Sequence, residues 1–227
     1  MSHAVPDELT SLVQRWDAAR RPAQSAIDWP RTAWTAAIPA HAGLMKALPE
    51  RIDRELVRTL AHTAAGGDGQ AMTAFVAAMV WGYGRTGYGP WRTCRVLEQN
   101  PAVVTHLRRA AEIQASAGAV ESYRYLANEG RMRYLGPAFA TKFLHFVPQC
   151  DGGPPALILD AVVSRAIAAM TGVRLRSTVW RTTTYERYLD LVAGWSDVLG
   201  VEPETVEMLL FVSQSPGQWT EPWLRDT

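Results

Sequence analysis

Lysine is nearly missing from this chain. Among 227 residues there are two, Lys46 and Lys142, against twenty-one arginines. Wherever a plain positive charge suffices, the sequence writes arginine. A guanidinium stays protonated in a protein, whereas an amine can give up its proton and act as a nucleophile, so a retained lysine is a candidate for chemistry that arginine cannot do. Cysteine is equally scarce. Cys94 and Cys150 stand far apart with no neighbouring cysteine or paired histidine, which excludes a zinc knuckle and a four-cysteine iron–sulfur site. A disulfide between them stays open but is not expected in a reducing compartment. No run of eighteen apolar residues occurs, and the opening MSHAVPDELT has neither the basic start nor the apolar stretch of a signal peptide. A cytoplasmic protein without a membrane partner is therefore expected.

What remains is ordinary globular material. Apolar residues make up 48% and charged residues 20%, enough for one large domain or two small lobes sharing a core. Net charge is +1, but it is unevenly spread: residues 85–142 carry nine positive and four negative side chains, residues 143–227 six and ten. Arg85, Arg92, Arg95, Arg108, Arg109, Arg124, Arg131, Arg133 and Lys142 would form a basic face for a polyanion if they gather on one side. Scatter over solvated helix faces is the other reading.

Helical periodicity dominates. One stripe runs through Ile52, Leu56 and Leu60, and another through Met72, Phe75, Val76, Met79 and Val80, with the turn Gly66-Gly67-Asp68-Gly69 between them. Asn100-Pro101 opens a helix that stops near Gly118, and a further helix spans 120–129. Asp160 caps a helix ending at Gly172, Thr183-x-x-Glu186 forms a capping box for a helix closing at Gly200, and Glu202-Pro203 starts the last one. VRLRSTVW, 173–180, alternates too weakly for a strand. Residues 1–45, with Trp16, Trp29 and Trp34, read as a helix and a wrapping segment on a helical domain of 46–227. The sum is an all-α protein of roughly nine helices.

Lys142 sits in LGPAFATKFLHF, just after the turn Leu135-Gly136-Pro137-Ala138 and on a helix whose Phe139, Phe143 and Phe146 are apolar. Asp160 follows after the apolar ALIL, at a helix N-cap. An amine near the start of one helix and a carboxylate capping the next can face each other across a short gap. Singly, each is most often a solvated charge or a mere cap. Their joint placement beside a hairpin, in a chain that avoids lysine, favours chemistry. Lys46, in HAGLMKALPE, has no such company and reads as a surface residue.

MRYLGPAFATKFLHF followed by PALILDAVVSRAI resembles the helix-hairpin-helix DNA glycosylase superfamily, most closely its 8-oxoguanine DNA glycosylase branch, over residues 132–170. That branch carries a Thr-Lys pair after its hairpin and an Asp about nineteen residues on, matched by Thr141-Lys142 and Asp160. The resemblance implies two helical lobes around a cleft, a helix-hairpin-helix at 120–148, and a monomer acting on double-stranded DNA with a damaged or modified base. Lys142 would attack the sugar carbon of a flipped nucleotide and, through a Schiff base, cut the strand by β-elimination, with Asp160 assisting. Gly136, Ala138 and Ala140 would lie at the phosphate, although this chain has Ala138-Phe139-Ala140 where the family usually has glycine, an apolar residue and glycine. Phe146 falls where the 8-oxoguanine enzymes often have a small base-pocket residue. The iron–sulfur cysteines of the endonuclease III branch are absent.

WGYGRTGYGPWRT, 81–93, lacks the spacing and preceding strand of a dinucleotide fold and has no Walker lysine, so no cofactor and no metal are expected. In a glycosylase this loop would bring Trp81 or Tyr83 to a base and Arg85 or Arg92 to phosphate, with Arg131 and Arg133 on the same basic face. A rigid turn that only completes the core is the alternative. Phe211 and Gln214, in EMLLFVSQSPGQW, are candidates for the pocket wall, and His145 is assigned to the core. The expected substrate is oxidised guanine. Hypermodified bases of phage DNA, removed in antiviral defence, are the alternative substrate, and a non-catalytic DNA-binding module or a helical protein-interaction domain the alternatives of another class.

Overall fold

The computed structural model describes residues 4–215 and 220–224, so residues 216–219 of the EMLLFVSQSPGQW stretch lie outside it. Among the described residues there are twelve α-helices: α1 Asp7–Ala18, α2 Arg31–Ala37, α3 Ala42–Ala47, α4 Arg54–Ala61, α5 Asp68–Tyr83, α6 Tyr88–Glu98, α7 Val103–Ala117, α8 Ala119–Ala127, α9 Pro137–Phe146, α10 Ala161–Thr171, α11 Thr182–Leu199 and α12 Pro203–Gln214. The one sheet among them is a two-residue antiparallel pair, β1 Ile27–Asp28 and β2 Arg51–Ile52, with Ile27 opposite Ile52. The fold is all-α.

The three helices beyond the expected nine are α2, α3 and α6. The first two are too short to show a period, and α6 runs through residues read as a glycine loop. Glycine costs a helix about 1 kcal/mol relative to alanine, an amount that packing overrides. The loop between α5 and α6 is only residues 84–87.

Apolar on nearly every side, α5 becomes the central element, with eleven of its residues buried. Helices α4, α7 and α9 pack around it, while α10 and α12 pair in a second group that also engages α11 and α1. One continuous core runs through both groups and takes in Leu9, Trp29 and Trp34 from the N-terminal wrap.

The ends of the helices follow local chemistry. Gly136 is the extended N-cap of α9 and Pro137 its first residue, where a missing N–H costs nothing. Asp160 caps α10, which ends on left-handed Gly172; α11 likewise ends on left-handed Gly200. The capping box at Thr183 is not formed: Arg181 is the N-cap of α11 and no side chain caps it. Helix α7 starts at Val103 with Ala102 as N-cap. Asn100 has a different task, accepting from Arg133 N–H and donating to the carbonyls of Val96 and Arg133. It thereby ties the end of α6 to the hairpin between α8 and α9.

Between α9 and α10 runs an irregular strap, residues 147–160, whose Ala156, Leu157, Ile158 and Leu159 are buried. Buried backbone without a ladder needs side-chain partners. His145 Nδ1 bonds Ala156 O at 2.8 Å, Tyr185 and Tyr188 hydroxyls donate to Leu157 O and Ile158 O at 2.9 and 2.8 Å, and Leu159 N donates to Thr141 Oγ1 at 3.2 Å. These bonds fix the residue that ends the strap, Asp160.

Candidate active site

Lys142 and Asp160, eighteen residues apart, meet at the end of that strap: Lys142 Nζ donates to Asp160 Oδ2 at 2.6 Å. Both are buried, at 5% and 8% exposure. The other carboxylate oxygen, Oδ1, accepts from Val162 N and Val163 N at 2.9 and 3.1 Å as the cap of α10. Burial pushes the Asp160 carboxyl up, but the charge and hydrogen bond of Lys142 and the two N–H groups outweigh it and hold it below the usual carboxylate range.

The pair opens onto a cavity of about 200 Å³ between the two helix groups, lined by Arg54, Trp81, Gly82, Ile158, Val162, Glu207 and Phe211 as well. Lys142 reaches it along Gly82: a Cβ on that glycine would lie 2.6 Å from Lys142 Cδ. The absence of a side chain there is what admits the lysine stem.

A second buried pair forms the opposite wall. Arg54 engages Glu207 through two bonds of 2.7 and 3.2 Å, donates from Nε to Gln24 at 2.7 Å, and lies 3.0 Å from His145 Nε2. Its guanidinium also covers the Trp81 ring at 5.0 Å. Because His145 Nδ1 faces the Ala156 carbonyl, Nδ1 carries the proton and Nε2 accepts from Arg54. Burial, then the Arg54 charge, keeps His145 neutral, well below its usual value. Burial raises the Glu207 carboxyl, against the opposing pull of Arg54.

The sequence-derived candidates divide on this geometry. Lys142, Asp160, Trp81 and Phe211 line the cavity. Phe146 stands behind Trp81, edge to face at 5.1 Å, and Tyr83 is stacked on Phe139 at 3.9 Å; neither lines the cavity. Gln214 is exposed as the last residue of α12 and does not line the cavity. Ala140 is fully buried and its N–H donates to Gly136 O, so it has no group to offer a phosphate. Gly136 and Ala138, at the first turn of α9, are partly exposed.

The arginines are mostly engaged. Arg85 pairs with Asp28, Arg92 donates to Tyr134 O and to the Tyr88 hydroxyl, and Arg108, Arg109 and Arg124 pair with Asp68, Glu112, Glu121 or Glu129. Arg131 and Arg133, exposed on the hairpin, have no ion pair among the described residues. Lys46 is exposed and His145 buried.

Five cavity residues were not among the sequence-derived site candidates: Arg54, Gly82, Ile158, Val162 and Glu207. Glu207 left a trace, as an acid inside the apolar run VEMLLFV, and Gly82 lies within the stretch 81–93.

The arrangement brings together a buried lysine, an ionised carboxylate in contact with it, aromatic walls and a polar patch, with no cluster of three metal-ligating side chains among the described residues and no helix there long and apolar enough to cross a membrane. Searches of curated proteins and of solved structures returned no match. A family model described as "Putative 8-oxoguanine DNA glycosylase OGG-like protein" matches residues 20–211. That span holds every residue lining the cavity, and the chain belongs to this OGG-like DNA glycosylase family.

Proposed function

We propose that the protein flips a damaged or modified nucleotide out of duplex DNA and excises its base by attack of Lys142, with β-lyase activity following. The observation that carries this reading is the 2.6 Å contact between Lys142 Nζ and Asp160 Oδ2 at the floor of a buried cavity. A lysine that served only solubility or DNA contact would have its amine in solvent.

The chemistry follows from the two groups. Nζ gives up a proton to water, and its lone pair forms a bond to C1′ of the flipped sugar while the C1′–N bond breaks and its electron pair leaves with the base, which takes up a proton from water. Asp160 stays ionised and offsets the positive charge that spreads over the sugar. Loss of a proton from Nζ and opening of the sugar ring then give the Schiff base, and loss of the C2′ proton expels the 3′ phosphate. Arg54 and Glu207 supply a donor and acceptor patch for the base edge, and Trp81 and Phe211 its apolar walls. The small volume favours a compact base such as oxidised guanine over a bulky hypermodified one.

Borohydride trapping tests this directly. The wild-type chain should form a covalent adduct with duplexes containing oxidised guanine, and Lys142→Gln should form none while keeping its helical circular dichroism. Mass spectrometry of bases released from oxidised DNA and from modified phage DNA identifies the substrate. No adduct and no released base across that panel would overturn the reading.

A further inference from the structure

Five large hydrophobic side chains are exposed among the described residues, and three of them are rings on one patch: Tyr88, Trp91 and Tyr134. Tyr88 and Trp91 lie 5.1 Å apart on α6, and Trp91 meets Tyr134 of the hairpin at 6.1 Å. Arginine threads the patch. Arg92 lies over both Tyr88 and Tyr134, at 5.9 and 5.5 Å, and Arg95 over Trp91 at 5.8 Å. Arg131 and Arg133 flank it from the hairpin.

Three aromatic faces left half in water are not explained by the core, which they do not join. Tyr134 is moreover held at φ 68, a left-handed conformation that a bulky residue adopts at a cost and that persists where its surroundings impose it. Arg92, donating to Tyr134 O, is the imposing contact. The patch is also continuous with the site. Lys142 Nζ lies 5.2 Å from the Phe139 ring, Phe139 stacks on Tyr83 at 3.9 Å, and Tyr83 meets Tyr88 at 6.4 Å.

We propose that Tyr88, Trp91 and Tyr134, with Arg92 and Arg95, form a stacking platform for unpaired nucleobases of a single DNA strand. Every base has a π-face that an aromatic ring can take, and Arg92, which donates to a carbonyl and a hydroxyl, adds positive charge for the phosphates between stacked bases, while Arg95 shares its charge with Glu98. A second protein would need an acidic partner face to match these cations, whereas a nucleic-acid strand carries both the rings and the charge. The proposal rests on the glycosylase reading, since that reading is what brings DNA to this chain.

The test uses the full chain carrying Lys142→Gln, with Trp91→Ala and Tyr134→Ala added singly and together. Fluorescence anisotropy compares a short single strand with the matching undamaged duplex. Loss of both rings should weaken single-strand binding about tenfold or more, with duplex binding changed less than about twofold, the range left to rings that touch no paired base. A 2-aminopurine in the single strand should be quenched on binding and released from quenching in the double variant, and Trp91→Phe should restore it. Equal weakening on both DNAs, or none on the single strand, would overturn the platform. So would a dimer of the parent chain that the same substitutions dissolve, which would make the patch a contact between copies. Base excision by the lysine-bearing chain is measured separately, so that absence of excision with intact single-strand stacking sinks the glycosylase reading and not the platform.

Discussion

Gly82 and Lys142 approach so closely that a methyl group on the first would lie 2.6 Å from Cδ of the second and 3.2 Å from its Cε. The lysine stem is confined on its other end by Asp160 at 2.6 Å, so it cannot yield without disturbing that contact.

Gly82→Ala should therefore separate reactivity from stability. Within α5 the alanine gains about 1 kcal/mol of helix propensity, which offsets much of the crowding. Displacement of Nζ by about 1 Å is expected to lower the borohydride-trapping rate about 100-fold. Single-turnover trapping and a thermal melt of the same preparation measure the two effects.

The Arg54–Glu207 pair should behave as a buried charge pair whose halves depend on each other. Glu207→Gln leaves Arg54 without its fork partner and is expected to cost about 3 kcal/mol, whereas replacing both by apolar residues of similar volume should recover most of that loss. Urea unfolding of Arg54→Met, Glu207→Leu and the double variant measures this coupling. The double variant should still form an adduct with an abasic site and lose discrimination among damaged bases.

Asp160 makes the fold and the reaction sensitive to acid. Its folded value is depressed, so its contribution to stability is complete above the unfolded value of about 4 and is lost as pH falls through the lowered folded value. Asp160→Asn should remove this acid limb and, by leaving Lys142 without a counter-charge, cost about 3 kcal/mol at pH 7. Urea midpoints between neutral pH and pH 3, with and without the substitution, test the sign.

His145 acts at milder pH. Its folded value lies below the ordinary 6.5, so as pH drops past that point the unfolded chain takes up a proton that the folded chain refuses, and stability falls. Urea midpoints measured at falling pH below 6.5 should decline accordingly. His145→Asn should flatten the slope over that window, leaving the smaller share of the partly buried His41, which is shifted the same way.

How much of this was legible in the sequence differs by element. Long periodic helices such as α5, α7 and α11 announced themselves because their buried faces repeat every three to four residues. Helices α2, α3 and α6 did not, the first two being short and the third opening inside a glycine-rich stretch, and their existence is decided by packing. The Lys142–Asp160 contact was legible because one residue is rare in the chain and the other stands at a helix start. Arg54 was not, since one arginine among twenty-one carries no local signal. Its partner Glu207 lies 153 residues away, a distance over which only the folded chain brings residues together. Gln214 shows the opposite case: an amide one turn past Phe211 on the same helix, left exposed because α12 ends at it.

The strap before Asp160 has one more consequence. With its carbonyls held by Tyr185, Tyr188 and His145, one carboxylate oxygen on α10 and the other on Lys142, Asp160 has no slack in any direction. The carboxylate is a fixed post. On the proposed reading, what travels is the nucleotide, delivered to a stationary charge.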